Sequence, residues 1–431
     1  LHSTQPAAKL FARLPKCRTL MLGFYRKALT VVFVALFFTN LADYTLRFGI
    51  APLDWIALML VLTLPLVPAA LTRAGWRLPV IPLAMWGVAY IVIAIVWFFP
   101  SAQVAKNFGE VRTRMLSVIV VMLVLFLVSR AEEQRLARVA IAWASMVAVG
   151  FNLYELFNPL TFSSIPGRSQ GLYANVNQSG AALVLGLIVA YHVVPAKLRI
   201  PFVLLDGVGL LTTFSRAAIM GWILTLLLFG IRSAKGGGFA LRDVRRMLFV
   251  AGMVVAFIFS PLWTNLTTTL EQRGVLTMDV MARLSFFSKG STSDDSANER
   301  RGVARKGWTL FEAAPLDGYG TGAANLPPLT LGTHNIYLRL MVDHGILGVF
   351  ILPSMLATML WGVRRSNDIG PPVAAFILLW GFFSHNVLKE RYILLTVAVV
   401  AASVATERRP VAAVESIPIS APPAPGLGLA T

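Results

Sequence analysis

One histidine in this chain is placed where it could take part in proton transfer. His334 follows a loop rich in glycine and proline and opens an apolar helical segment. Imidazole can take or give a proton near neutral pH. A lone histidine is more often structural, so the hypothesis of catalysis depends on that loop shaping a pocket and on arginines expected on the same side. His385, beside Lys389 and Arg391, is the second candidate.

Two arginines occur where ordinary loop charge does not explain them. Arg168 lies in the polar stretch Pro166–Gln178, and Arg216 lies between two apolar runs. A guanidinium forms paired, charge-assisted hydrogen bonds to phosphate. An arginine at membrane depth is costly unless it is paired or hydrated, which favours a functional role for Arg216 over a snorkelling interfacial one. The amide of Asn177 could bind a sugar hydroxyl, although capping of the next helix is the preferred interpretation.

The composition is that of an integral membrane protein. Of the 431 residues, 57% are hydrophobic and 13% are charged, whereas soluble domains carry about 25% charged residues. The net charge of +18 is explained by cytoplasmic loops, which are rich in Lys and Arg, and does not require nucleic acid as a partner. The single cysteine, Cys17, excludes an internal disulfide and a cysteine-based metal site.

The apolar runs predict an all-α membrane protein with about twelve transmembrane helices. Residues 1–27 form a basic cytoplasmic N-terminus, and residues 28–263 contain spans one to nine. Residues 264–334 form one large outer loop, residues 335–404 contain spans ten to twelve, and residues 405–431 form a disordered cytoplasmic tail. The basic loops fall on the side of both termini, so the positive-inside rule places both termini in the cytoplasm.

The large loop contains a predicted helix. Asn298–Ala314 should be helical, with Asn298 as the N-cap. Helical spacing puts Arg301, Arg305 and Trp308 on one face. Such a basic amphipathic helix either lies against anionic headgroups or packs on the bundle.

A glycine motif, Pro315–Gly322, closes the loop. Its glycines at 318, 320 and 322 allow close backbone approach, and exposed amides there could bind phosphate. No Gly-Lys-Ser/Thr follows, so it is not a Walker loop. The acidic residues expected outside, among them Glu110 and Asp343, are scattered along the chain. We therefore predict no metal site and no cofactor.

These segments, in this order, resemble the bacterial O-antigen ligase family of the O-antigen ligase/polymerase superfamily. The matching elements are Arg168–Asn177, Ser215-Arg216, Arg300 with the helix that follows, Pro315–Gly322, His334-Asn335 and Asp343–Gly348, and the resemblance covers about residues 20–405. One departure is Ala304, where the family often has an aromatic residue. The substrate contact therefore stays open among Arg300, Arg301 and Arg305.

The resemblance implies a GT-C-like fold in the bacterial inner membrane, with the large loop and the active site on the periplasmic side between spans nine and ten. It implies transfer of polysaccharide from undecaprenyl diphosphate to lipid A-core, surrounded by membrane lipids. His334 would act as the catalytic base without a metal, and Arg168, Arg216, Arg300 and Arg301 would bind the diphosphate. Direct displacement would invert the anomeric centre.

Three other functions fit parts of this pattern. A polysaccharide polymerase or a protein O-oligosaccharyltransferase of the same superfamily would share donor and scaffold and differ in the acceptor. A membrane transporter or lipid flippase fits the span count equally well. Transporters, however, usually place their sites near the midplane and often have repeated halves, whereas here the polar residues gather on the outer face. We therefore favour the ligase.

Overall fold

The computed structural model describes residues 5–68, 81–101, 104–164, 167–234, 260–272, 295–327, 332–364 and 367–407, with isolated positions between 245 and 256. Every regular element in these ranges is a helix, as the sequence predicts. The helices are α1 (Gln5–Phe38), α2 (Leu41–Tyr44), α3 (Pro52–Thr63), α4 (Ile81–Val96), α5 (Ala105–Leu127), α6 (Ala131–Phe157), α7 (Val176–Ala190), α8 (Arg199–Thr212), α9 (Arg216–Ala234), α10 (Pro261–Gln272), α11 (Asp295–Ala313), α12 (Ile336–His344), α13 (Gly348–Met359), α14 (Gly370–Trp380) and α15 (Arg391–Glu407).

The core is built around α7, which is buried on nearly all sides. Every residue from Ser179 to Ala190 is buried, and a helix that is apolar all round is typical of the centre of a bundle. Gly186 lets α6 approach closely, because a Cβ at this position would collide with the side chain of Ser145. The periphery is apolar as well, since Trp143 and Phe157 of α6 are 70% and 76% exposed. Such a surface suits contact with lipid.

By length and apolar composition alone, three stretches could cross a membrane: Met21–Phe38, Ala131–Phe157 and Ile336–Met359, the last of which is divided by the turn after α12. Several shorter apolar helices pack with them, so the chain has the character of a helical membrane protein. The count of twelve spans stays a prediction. The predicted ninth span, Met247–Trp263, falls largely outside the described residues, as do residues 408–431 of the predicted tail.

The predicted tenth span is not one straight helix. α12 ends at His344, and Gly345 adopts a positive φ of 62° before α13 begins. A Cβ placed on Gly381 would lie 3.0 Å from both Ile336 and Leu352. In a continuous helix those two residues would be about 24 Å apart, at 1.5 Å per residue. The chain therefore turns back after α12, and the two helices pack against each other.

Polar contacts gather at two opposite ends of the bundle. At one end, Asn40 Nδ2 donates to the carbonyl of Leu172 at 3.3 Å. At the other, Lys27 pairs with Glu132 at 2.6 Å. We call the first the site end, because it holds the residues with candidate chemistry. Its loops are residues 39–51, 97–101, 158–164, 167–175, 213–215, 314–327, 332–335 and 381–390.

The loop helix α11 lies across α12. It begins at Asp295 rather than at Asn298, so the prediction of Asn298 as N-cap is wrong. A Cβ on Gly307 would lie 3.0 Å from Leu338 and 3.4 Å from Thr333, which shows how closely α11 packs. Arg301, Arg305 and Trp308 are exposed on the side that faces away from that contact.

Candidate functional site

Two amides of the glycine motif bond to the end of α12, the helix that is broken at Gly345. Tyr319 N donates to Val342 O at 2.9 Å, and Gly320 N donates to Asp343 O at 3.0 Å. The last carbonyls of a helix have no partner within the helix, and the loop at 315–322 supplies donors to the end of α12. These two amides are therefore already bonded within the protein and are not the exposed phosphate-binding amides that the sequence suggested.

Glycine is required where the motif meets the turn after α12. Gly318 has φ 65°, and a Cβ there would lie 2.6 Å from Gly345 N and 2.7 Å from His344 N. Gly345 has φ 62° as well, and its Cβ would collide with the carbonyl of Leu316. Residues with a side chain rarely adopt such a φ and would not fit these contacts. The sequence prediction of close backbone approach is correct, but the approaching partner is the protein itself.

His334 occupies a special backbone position at the start of α12. Its φ is 49°, an uncommon value for a residue with a side chain. Thr333 Oγ1 donates to Asn335 O at 2.7 Å, and Asn335 Oδ1 accepts from Leu338 N at 3.1 Å as the N-cap of α12. These bonds hold the backbone on both sides of His334. Strained φ values of this kind are concentrated at functional sites.

The His334 ring lies edge-on to that of His385, with centroids 5.4 Å apart and an interplanar angle of 80°. Burial lowers the pKa of His334, the positive charge of Arg300 lowers it further, and Glu299 opposes this effect. A lowered pKa keeps the imidazole neutral at neutral pH, the form that can accept a proton. α11 thus brings Arg300 into electrostatic range of His334. The sequence alone could not establish this proximity. Arg301 is exposed on the same helix.

Arg168 and Arg216 are brought together by one turn. Arg168 is buried, and its Nε donates to Thr213 O at 3.1 Å while its Nη2 reaches Phe214 O at 3.4 Å. Phe214 has a positive φ of 47°, and Arg216 follows two residues later as the half-buried first residue of α9. Arg168 therefore supports the turn that presents Arg216. Whether either residue binds a diphosphate stays a prediction.

The loop that carries Arg168 is organised by one buried carboxylate, which the sequence analysis did not single out. Glu155 Oε2 accepts from the amides of Gln170 at 2.7 Å and Gly171 at 3.0 Å. Its Oε1 accepts from the amides of Phe162 and Ser163. Four backbone donors on one carboxylate hold two segments of the loop at the tip of α6.

The helix that follows is capped by Asn175 rather than by Asn177. Asn175 Oδ1 accepts from the amides of Asn177 and Gln178, each at 3.0 Å. The Gln178 side chain then donates to Glu390 at 3.3 Å, and Glu390 also accepts from Ser384 at 3.1 Å. The loop of Arg168 is thereby connected, through the start of α7, to the loop that carries His385.

Five charged residues form a buried ion network at the site end: Glu110, Arg114, Arg339, Asp343 and Lys389. Arg114 pairs with Asp343 at 2.8 Å, Arg339 pairs with Glu110 at 3.0 Å, and Lys389 pairs with Glu110 at 2.5 Å. The sequence suggested that Glu110 and Asp343 are scattered. The structure brings them together in one network. A signal was present, because each helix carries an acid and a base four residues apart, on one face.

Two further contacts are made by Arg114 and Asp343 of this network. Arg114 Nη1 lies 2.6 Å from His344 Nε2. Asp343 Oδ1 accepts from the amide of Ala324 at 3.0 Å, in the short turn after the glycine motif. Within the described ranges, no group of His, Cys, Asp and Glu is arranged to hold a metal ion.

Residues 201–352 match the family model described as O-antigen ligase. This segment is an O-antigen ligase domain. The match supports a relation to the O-antigen ligase superfamily, whose members are membrane enzymes of glycosyltransferase type, ligases and polymerases. No curated protein matches the chain.

The O-antigen ligase domain contains much of the candidate site but not all of it. His334, Arg216, Arg300 and Arg301 lie within residues 201–352, as do Arg339 and Asp343 of the buried ion network. Arg168, Glu155, Glu110, Arg114 and Lys389 lie outside these bounds. The fold supplies the second group from α5, α6 and the loops before α7 and α15.

Proposed function

We propose that this protein is an O-antigen ligase of the bacterial inner membrane, with its active site on the periplasmic face. It transfers polysaccharide from undecaprenyl diphosphate to a hydroxyl of lipid A-core. The observation that carries this proposal is a half-buried His334 that contacts His385 and feels the charge of Arg300, inside an O-antigen ligase domain.

The proposed reaction is a single displacement. His334 accepts the proton of the acceptor hydroxyl while the oxygen attacks the anomeric carbon of the donor sugar. The bond from that carbon to the diphosphate oxygen breaks, and undecaprenyl diphosphate leaves with the electron pair. General-base catalysis of this kind contributes roughly a hundredfold to ten-thousandfold in rate. Attack opposite the leaving group inverts the anomeric configuration.

The arginines have a separate role in this proposal. Negative charge builds up on the diphosphate as the bond breaks, and fixed cations aimed at that position stabilise the transition state. Arg216, Arg300 and Arg301 would act in this way, together with Arg168. Guanidinium groups can do this without a metal ion, so the proposed reaction is metal-independent.

The test is transfer by purified protein in EDTA, with undecaprenyl-diphosphate-linked glycan and lipid A-core. We expect wild type to make inverted product and His334→Ala to lose at least about a hundredfold in rate, the lower bound for a general base. His192→Ala is the matched control, because His192 lies at the opposite end of the bundle, beside Arg199, and should keep the activity.

Each other result would overturn a stated part of the proposal. Transfer retained in folded His334→Ala would exclude histidine as the base, and activity lost only in EDTA would exclude a metal-free reaction. Longer donor chains with unmodified lipid A-core would show a polymerase. A glycosylated protein would show a protein O-oligosaccharyltransferase. Movement of the lipid-linked substrate without covalent transfer would show a transporter.

A further inference from the structure

The buried ion network carries an excess of positive charge. Among its five described members, Arg114, Arg339 and Lys389 are cations and Glu110 and Asp343 are anions, so three positive charges meet two negative ones. Burying an uncompensated charge is costly. A polar site with a net charge of +1 is suited to an anion that completes it.

The network is open to solvent at one member. The side chains of Arg114 and Asp343 are 1% and 0% exposed, and those of Arg339 and Glu110 are both 4% exposed. The Lys389 side chain is 24% exposed. An incoming anion would therefore meet the network at Lys389.

Lys389 belongs to the loop whose His385 contacts His334. Arg339 holds this loop, because its Nη1 lies 3.3 Å from Asn386 Oδ1. Both Arg339 and Lys389 act on His385, where burial and these charges lower the pKa to about 3. His385 is therefore neutral and adds no charge to the network.

The neighbouring carboxylate, Glu390, bonds to groups other than Lys389. Glu390 accepts from Gln178, Ser384 and Tyr392. Burial raises the pKa of Glu390 above its ordinary value, although those hydrogen bonds oppose the shift. The next residue, Arg391, pairs with Asp43 at 2.6 Å. Among the described contacts, Lys389 pairs with Glu110 and not with Glu390.

We propose that Lys389 and the buried ion network behind it form a binding site for a phosphate group of the donor diphosphate, next to the loop whose His385 contacts His334. The phosphate would bond to the Lys389 ammonium and bring the buried charges into balance. The identity of the ligand as the donor rests on the proposed function, whereas the anion site itself does not.

Lys389 also predicts how anion binding depends on pH. The groups that face it are Glu110 and Arg114 from α5 and Arg339 from α12. Burial lowers the pKa of Lys389 to about 8, with Arg339 acting in the same direction and Glu110 opposing. The ammonium is present below that pKa and is lost as pH rises through it, so binding should weaken above pH 8. An arginine keeps its charge over this range.

The experiment measures binding of inorganic pyrophosphate and of farnesyl diphosphate to the full-length protein in detergent. Lys389→Gln should weaken both by about tenfold or more, the factor expected for one charged hydrogen bond. Lys389→Arg should bind at pH 7 and keep that affinity at pH 9, where wild type loses it. Higher pH adds charge to the ligand, so weakening must come from the protein.

Lys106→Gln is the matched control, because Lys106 is exposed at the start of α5 and its loss changes the net charge equally. It should leave binding unchanged. Without ligand, Lys389→Gln should melt no lower than wild type, since two cations then meet two anions. If Lys389→Gln nevertheless fails to fold, the proposal is tested by comparing diphosphate binding of wild type and Lys389→Arg at pH 7 and pH 9.

Three results would overturn the proposal. The first is that wild type and Lys389→Gln bind the diphosphates with equal affinity. The second is that Lys389→Arg loses as much affinity between pH 7 and pH 9 as wild type does. The third is weaker binding of phosphorylated lipid A-core with unchanged farnesyl diphosphate binding, which would assign the site to the acceptor. None of these measurements requires glycosyl transfer, so failure of the ligase reaction would appear separately, in the His334→Ala assay.

Discussion

At the residue scale, the structure separates two arginines that sequence could not distinguish. Arg300 is half-buried and its charge reaches His334, whereas Arg301, the next residue of α11, is exposed. Helical geometry turns neighbouring side chains by about 100°, so only one of two adjacent arginines can face α12. Arg300 is therefore the stronger candidate for the reacting centre.

This difference predicts the pH profile of transfer. Because the pKa of His334 is lowered, its base-competent form persists below pH 6.5, and the rate should fall only as pH drops through that lowered pKa. Arg300→Gln removes one cause of the lowered His334 pKa. In this variant the fall in rate on the acid side of the pH profile should therefore occur at higher pH. Arg301→Gln is the control and should leave this fall at the wild-type pH. The measurement is kcat/KM against pH for the three proteins, and equal shifts in both variants would contradict the assignment.

At the element scale, the loop before α7 depends on one side chain of α6. Glu155 joins two segments of that loop through four backbone amides, and the loop in turn supports Arg168 and the turn before Arg216. A carboxylate suits this position because both of its oxygens accept hydrogen bonds.

Glu155→Gln should therefore loosen this loop. The amide nitrogen would face two backbone donors, and each unsatisfied buried group costs about 1–3 kcal/mol. Hydrogen exchange should speed up in residues 162–171, and transfer should fall with it. Glu132→Gln, on the same helix but exposed, should change stability by less than about 0.5 kcal/mol. Unchanged protection of the loop amides would show that Glu155 does not hold them.

At the scale of the whole molecule, the two ends of the bundle make orientation testable. Ser164 is exposed at the site end, and Lys197 is exposed at the opposite end. In a Cys17→Ser background, Ser164→Cys should react with a membrane-impermeant maleimide from the periplasm. Lys197→Cys should react only after the inner membrane is opened. The reverse pattern would place the site end in the cytoplasm and exclude a periplasmic reaction.

Much of this architecture could be predicted from local pattern. The apolar runs give the helices of a membrane protein, and the match at residues 201–352 confirms the superfamily that the motifs suggested. The helix in the large loop was predicted within a few residues, as Asn298–Ala314 against the observed Asp295–Ala313. These features depend on residues close together in the chain, so composition and spacing are sufficient.

The sequence by itself determined which residue types are available at the site: one well-placed histidine, several arginines and a glycine motif. Only the tertiary structure decided what they do to each other. The turn after α12, the pairing of Glu110 with Arg339 and Lys389, and the effect of Arg300 on His334 all join distant segments. Burial and charge act through space, so the pKa of His334 and the charge balance of the network exist only once the helices are packed.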